Sequence, residues 1–132
     1  MLKRIHHLGI IVDDLEDKMR RFEGFGLRCR QVVENREGGY KIAFFPIGEV
    51  LIELISYRSD KEPDHMTKIV RAHKDVINHI CFEVDDIDTA VHGFEKTGAR
   101  LIEGSQRKGL TGQIAFFYPE TTEGLLVELN QS

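Results

Sequence analysis

The chain has 132 residues, 41% hydrophobic and 30% charged, with a net charge of −4. That length suits one globular domain, and the negative balance argues against a general nucleic-acid binder, which needs a basic stripe. No apolar run approaches the ~20 residues of a membrane span. The opening Met1-Leu2-Lys3-Arg4-Ile5-His6-His7 also lacks a signal peptide's apolar core, so a cytoplasmic protein with Cys29 and Cys81 as reduced thiols is expected.

Ile5 to Val12 is a short apolar run rich in β-branched residues and reads as a strand. Asp13 with Glu16 resembles a capping box, and residues 14–24 carry Leu15, Met19 and Phe22 at helical spacing. Gly24 and Gly26 stop that helix. A strand is predicted from Leu27 to Glu34, then a turn at Asn35-Arg36-Glu37-Gly38-Gly39. Tyr40 to Pro46 and Val50 to Tyr57 read as two more strands around a tight turn at Ile47-Gly48-Glu49. Residues 1–57 thus form one β-α-β-β-β module. The polar linker 58–76 places Met66, Ile69 and Val70 at helical spacing after Pro63, which predicts a short helix. Residues 77–132 repeat the plan. A strand at 77–84 leads to a helix near 86–97, opened by Asp85-Asp86-Ile87-Asp88 and closed by Gly98. Strands are predicted near 99–103, 112–118 and 124–130. The fold class is therefore α+β, with two tandem modules in one domain.

The second module repeats residues as well as pattern. Ile5-His6-His7-Leu8-Gly9-Ile10-Ile11-Val12-Asp13-Asp14 returns as Ile77-Asn78-His79-Ile80-Cys81-Phe82-Glu83-Val84-Asp85-Asp86, an offset of 79 − 7 = 72. Ile42-Ala43-Phe44-Phe45 returns as Ile114-Ala115-Phe116-Phe117. Leu51-Ile52-Glu53-Leu54 returns as Leu126-Val127-Glu128-Leu129, offset by 128 − 53 = 75. Each copy owns one histidine near its start and one glutamate near its end. Two imidazoles and two carboxylates make a ligand set for a divalent metal.

Strand alternation supports their meeting. Leu8, Ile10 and Val12 form an apolar face suited to a covering helix, and His7 lies opposite, with Ile5 and Gly9. Ile80, Phe82 and Val84 stand likewise against His79. Glu53 opposes Ile52 and Leu54, and Glu128 opposes Val127 and Leu129. A carboxylate amid such apolar sequence is costly unless it is paired, hydrogen-bonded or metal-bound. One cation on a pseudo-two-fold axis would serve His7, Glu53, His79 and Glu128 together. His6, His65, His73 and His92 lack repeat partners and read as surface or packing residues.

These residues resemble the vicinal oxygen chelate superfamily, which includes glyoxalase I, methylmalonyl-CoA epimerase, extradiol dioxygenases and bleomycin-resistance proteins. The resemblance runs from Ile5 to Gln131. It implies paired modules whose sheets curl around a metal site, with His7, Glu53, His79 and Glu128 at the four ligand positions. Within the superfamily the chain most resembles the methylmalonyl-CoA epimerases, through Lys41-Ile42-Ala43-Phe44-Phe45-Pro46-Ile47-Gly48, the helical linker before Asn78-His79, and Gly124-Leu125-Leu126-Val127-Glu128-Leu129-Asn130-Gln131. It departs from them at Asn78, where a histidine is common, and in the short segment from Phe22 to Leu27. It also departs at Lys41, read here as the third-strand position where some epimerases carry a glutamate base.

The resemblance implies a metal-dependent isomerase or epimerase. One divalent ion (Co²⁺, Ni²⁺, Mn²⁺ or Zn²⁺) would polarise a chelated carbonyl, and Glu53 and Glu128 would move the neighbouring proton. The substrate is either an acyl-CoA thioester, as in an epimerase, or a glutathione adduct, as in a glyoxalase I-like lactoylglutathione lyase. A non-catalytic, resistance-type binding protein is the remaining alternative. A fourth protein ligand disfavours a redox oxygenase, which typically uses two histidines and one carboxylate. Lys41 could hold a substrate carboxylate or face solvent. Arg107 and Lys108, near Arg100 in a glycine-rich loop, could meet an anionic substrate. Small members of the superfamily often pair, so a homodimer with one site per chain is expected.

Overall fold

A computed structural model describes residues 1–60, 62–72 and 76–132. The first module comprises β1 (Leu2–Ile11), α1 (Leu15–Gly24), β2 (Gln31–Asn35), β3 (Tyr40–Ile47) and β4 (Val50–Tyr57). A linker helix α2 (His65–Val70) follows. The second module comprises β5 (Ile77–Val84), α3 (Ile87–Lys96), β6 (Arg107–Lys108), β7 (Gln113–Phe116), a 3₁₀ turn at Pro119–Thr121, and β8 (Leu126–Gln131).

All eight strands join one sheet in the order β2-β3-β4-β1-β5-β8-β7-β6, curled into a half-barrel. β1 runs parallel to β4, and β5 parallel to β8. The two halves meet through an antiparallel β1–β5 pair. The strand order therefore reads the same from either end once module equivalents are exchanged, which is the predicted pseudo-dyad.

Apolar side chains sort to the two faces. On the outer face α1 packs Leu15 against Val12, Ala43, Phe45 and Leu54. Under α3, Ile87 and Val91 meet the repeat equivalents Val84, Ala115, Phe117 and Leu129. Burying each such large side chain contributes about 1.5–3 kcal/mol. The inner face holds a third cluster, which includes Ile42, Phe44, Ile55, Phe116 and two residues of α2, Met66 and Val70.

Several local expectations shift. Asp14, not Asp13, caps α1, accepting from Asp17 N at 3.0 Å. The chain stays bound to the sheet through Val12 N, which donates to Ile55 O, and this delays the turn by one residue. Asp86 caps α3 at the equivalent position, 86 − 14 = 72. The strand expected from Leu27 begins only at Gln31, because Leu27 and Cys29 pack against the cluster under α1. The strand expected at 99–103 is reduced to a bridge between Leu101 and Phe117. Ser105 Oγ instead occupies both Phe116 N and Phe116 O at 3.0 Å, so a hydroxyl replaces a ladder rung.

Leu54 and Leu129 are repeat equivalents, both wholly buried. Either leucine changed to alanine should lower stability by about 2–5 kcal/mol in urea unfolding. Lys41→Ala, on the exposed outer face, should stay within about 0.5 kcal/mol of the parent. Equal midpoints for all three variants would contradict this packing.

Candidate metal centre

Backbone register brings the four ligand-type residues together. Gly9 on β1 sits opposite Glu53 on β4 and opposite His79 on β5. Cys81, the repeat equivalent of Gly9, sits opposite Glu128 on β8 and His7 on β1. Gly9 is needed as glycine, because a Cβ there would overlap the His79 ring. All four side chains are buried, with exposures of 2–5%.

Three of them share one focus. His7 Nε2 lies 3.1 Å from His79 Nε2 and 3.0 Å from Glu128 Oε2. His79 Nε2 lies 3.2 Å from the same carboxylate oxygen. Glu53 stands on the other edge of the His7 ring, with Oε2 3.0 Å from Nδ1. That approach lacks hydrogen-bond geometry, so Glu53 Oε2 is a buried oxygen without a donor among the described residues. An orphaned carboxylate oxygen and converging imidazole nitrogens are what a divalent cation satisfies. His7, His79 and Glu128 form a ligand cluster, and Glu53 can complete it.

The two glutamates differ electrostatically. Burial raises the Glu53 carboxyl to about 7, opposed by His7 and assisted by Glu128. Burial works on Glu128 in the same direction, but the charge and hydrogen bond of His7, with His79 beside it, win and hold it well below the ordinary carboxylate range. His7 shows the reciprocal effect. Burial disfavours its charge, yet Glu128 and then Glu53 raise its pKa. For His79 burial dominates and lowers the pKa, favouring the neutral ring.

The cluster lies inside a cavity of about 380 Å³. Its walls nearest the sheet include Ile42, Phe44, Ile55, Ile114 and Phe116, and α2 contributes Met66 and Val70. Arg107 and Lys108 line it, and Arg107 Nη1 also reaches Asp64 Oδ2 at 3.4 Å. Lys41 does not join them. It lies in a separate surface cleft, its ammonium 3.9 Å from Glu34. From β3 the residues that line the cavity are Tyr40, Ile42 and Phe44.

Sequence reasoning missed other cavity residues. Arg58 and Arg71 add cations, with Arg71 over the Tyr57 ring at 4.9 Å. Their linker setting gave no periodic signal. His6, expected at the surface or in packing, is 5% exposed, its Nδ1 2.8 Å from His7 Nδ1. Asn78 Oδ1 stands 2.8 Å from His79 Nδ1. The doubled polar residue before each histidine was a signal that could have found both. His92 is exposed, His65 bonds Tyr118 Oη at 2.9 Å, and His73 lies outside the described residues.

A family model described as Glyoxalase/Bleomycin resistance protein/Dioxygenase superfamily matches residues 6–117. The mitochondrial methylmalonyl-CoA epimerase of Dictyostelium discoideum is 30% identical over 97% of this chain and 78% of its own length. The ethylmalonyl-CoA/methylmalonyl-CoA epimerase of Cereibacter sphaeroides is 28% identical over 99% of both chains. Among solved structures, a variant of the Streptomyces coelicolor methylmalonyl-CoA epimerase in complex with 2-nitronate-propionyl-CoA superposes with a TM-score of 0.83. It is 26% identical and covers 100% of this chain and 99% of its own.

Glu53 gives the site a pH signature. Its folded value of about 7 exceeds the ordinary 4.5, so between those values the folded chain keeps a proton that the unfolded chain releases. This contribution is complete below about 4.5 and is lost as pH rises through about 7. Metal-free protein should therefore lose stability relative to Glu53→Gln across that interval, by roughly 1–3 kcal/mol. Urea midpoints of both proteins from pH 5 to 7.5 test it, and parallel curves would contradict the assignment.

Proposed function

The chain belongs to the Glyoxalase/Bleomycin resistance protein/Dioxygenase superfamily, and on that premise we propose that it is a metal-dependent epimerase of a methylmalonyl-CoA-type thioester. The observation that carries this reading is the convergence of His7, His79 and Glu128 beside the unsatisfied Glu53, in a chain whose full length aligns with acyl-CoA epimerases. These four residues would hold one divalent cation. When bound, the ion supplies Lewis-acid stabilisation to the carbonyl oxygen next to the reacting C–H.

The protein's own groups divide the remaining work. Glu53, whose Oε2 has no donor among the described residues, is suited to take a proton and return it. Glu128, kept ionised by two imidazoles, is better suited to anchoring than to donating. Epimerisation also needs a donor on the opposite face of the substrate. Tyr40 is the titratable β3 side chain in the cavity, and Asn35 Nδ2 donates to its oxygen at 3.1 Å, a bond that does not use the phenol hydrogen. Ile42, Phe44 and Phe116 exclude water from the reacting carbon. Arg58, Arg71, Arg107 and Lys108 line the cavity where the phosphates of CoA would need cations. The glutathione-adduct alternative has no support from the relatives described above. We also propose that the half-buried apolar residues Leu8 and Ile80, which face each other across β1 and β5, are covered by a second copy in a homodimer.

Purified protein should contain close to one divalent ion per chain. Loaded with Co²⁺ in D₂O, it should exchange the α-proton of methylmalonyl-CoA. Glu53→Gln should retain Co²⁺, since an amide oxygen still coordinates, yet lose ~10²–10⁴-fold in exchange rate. Tyr40→Phe should slow epimerisation more than exchange. If the native loaded protein exchanges no proton, the isomerase reading fails and a binding role replaces it.

A further inference from the structure

Two of the three irregularities in the β1–β5 pairing are placed symmetrically; the third lies between Leu2 and Arg4. On β1, Ile5 faces Phe82 and His7 faces Cys81, so His6 is an extra residue. On β5, His79 faces Gly9 and Ile77 faces Ile10, so Asn78 is an extra residue. The two bulges occupy equivalent points, 78 − 6 = 72. In an unbroken strand each would point to the face opposite its histidine. The bulge turns each inward instead, where both are buried, at 5% and 7% exposure.

Each inward residue meets the same atom of the histidine that follows it. Asn78 Nδ2 donates to the Val70 carbonyl at 2.5 Å. That bond fixes the amide orientation and leaves Oδ1 facing His79 Nδ1 at 2.8 Å. An oxygen there can only accept, so His79 carries its proton on Nδ1 and presents an Nε2 lone pair to the cluster. His6 Nδ1 stands 2.8 Å from His7 Nδ1. It remains a partner for that nitrogen when Glu53 turns from the His7 ring toward a cation.

We propose that His6 and Asn78 are paired positioning residues, built by symmetric β-bulges, that orient the His7 and His79 rings so that both Nε2 atoms meet at one point. This rests on the metal reading above for its purpose, but not for its geometry. Asn78 also ties the ring to the last turn of α2 through Val70, whose side chain lines the same cavity. Ordering of the linker helix and ligand orientation are thereby one structural event.

Long-range ¹H–¹⁵N correlation of the metal-free protein reads the tautomer directly. His79 is expected as the Nδ1–H form. Asn78→Leu should populate both tautomers and weaken Co²⁺ binding about 10–100-fold. Asn78→Asp still accepts from His79 Nδ1 but loses the Nδ2 bond to Val70, so it should keep the Nδ1–H tautomer and recover only part of the affinity. His6→Asn should be tolerated, since the repeat already uses asparagine at that post, whereas His6→Leu should lose affinity. His79 protonated on Nε2 in the parent protein would overturn the proposal, as would folded Asn78→Leu with parental affinity. If Asn78→Leu does not fold, the parent tautomer and the two His6 variants still decide. A parent protein that binds no Co²⁺ would defeat the metal reading alone, because the tautomer is measured without metal.

Discussion

The antiparallel contact between β1 and β5 is the constraint on which the rest depends. It joins the two modules edge to edge and sets the dyad at the centre of the sheet. At this crossing His7 faces Cys81 and Gly9 faces His79. The parallel neighbours β4 and β8 then bring Glu53 and Glu128 to the same level. A register slip of one residue would move every site side chain to the helix-packed face. The apolar alternation that covers α1 and α3 therefore also fixes the ligand geometry. The missing side chain at Gly9 leaves the space that the His79 ring fills.

Burial makes the polar centre demanding. Two carboxylates and two imidazoles are withdrawn from water beneath apolar walls, a placement that costs several kcal/mol per uncompensated charge. Glu128 is compensated chiefly by His7 Nε2, while Glu53 retains an oxygen without a donor among the described residues. Without a cation, the protein meets that cost by keeping the Glu53 carboxyl protonated up to about 7. A bound divalent ion would remove the penalty, and binding would release protons. The same feature that destabilises the empty centre at neutral pH would favour its filling.

Much of this was legible in the sequence because duplication doubles every signal. The strand pattern and the four ligand-type residues follow from matching Ile5–Asp14 with Ile77–Asp86 and Glu53 with Glu128, while the linker helix showed in the spacing of Met66, Ile69 and Val70. Strict alternation also gave the correct face for His7 and His79. It failed at His6 and Asn78, because a bulge is a property of two strands in register and leaves no mark in one strand's periodicity. It gave no warning for residues 99–105, where the Ser105 hydroxyl competes with the backbone ladder. Lys41 was left between a substrate contact and solvent for a related reason. Strand membership was right, but which β3 residues face the cavity depends on pairing with β4, and that pairing turns Tyr40, Ile42 and Phe44 inward.

Symmetry explains the assembly of the centre, and broken symmetry explains how it can act. Glu53 and Glu128 are the same residue type at equivalent strand positions, yet their acidities move in opposite directions. The difference comes from contacts. Glu128 meets both ring Nε2 atoms, whereas Glu53 meets only the far edge of His7. A perfectly symmetric site would offer two equivalent carboxylates and no distinction between holding an ion and moving a proton. Here the departures from the repeat make the surroundings of the two histidines unequal as well. Gly9 admits the His79 ring where Cys81 stands in the other copy, and His6 takes the post held by asparagine beside His79. Environments that push apart the acidities of paired titratable groups are how one fold assigns acid and base roles. In this chain, contacts alone hold one glutamate ionised and leave its twin protonated up to about 7.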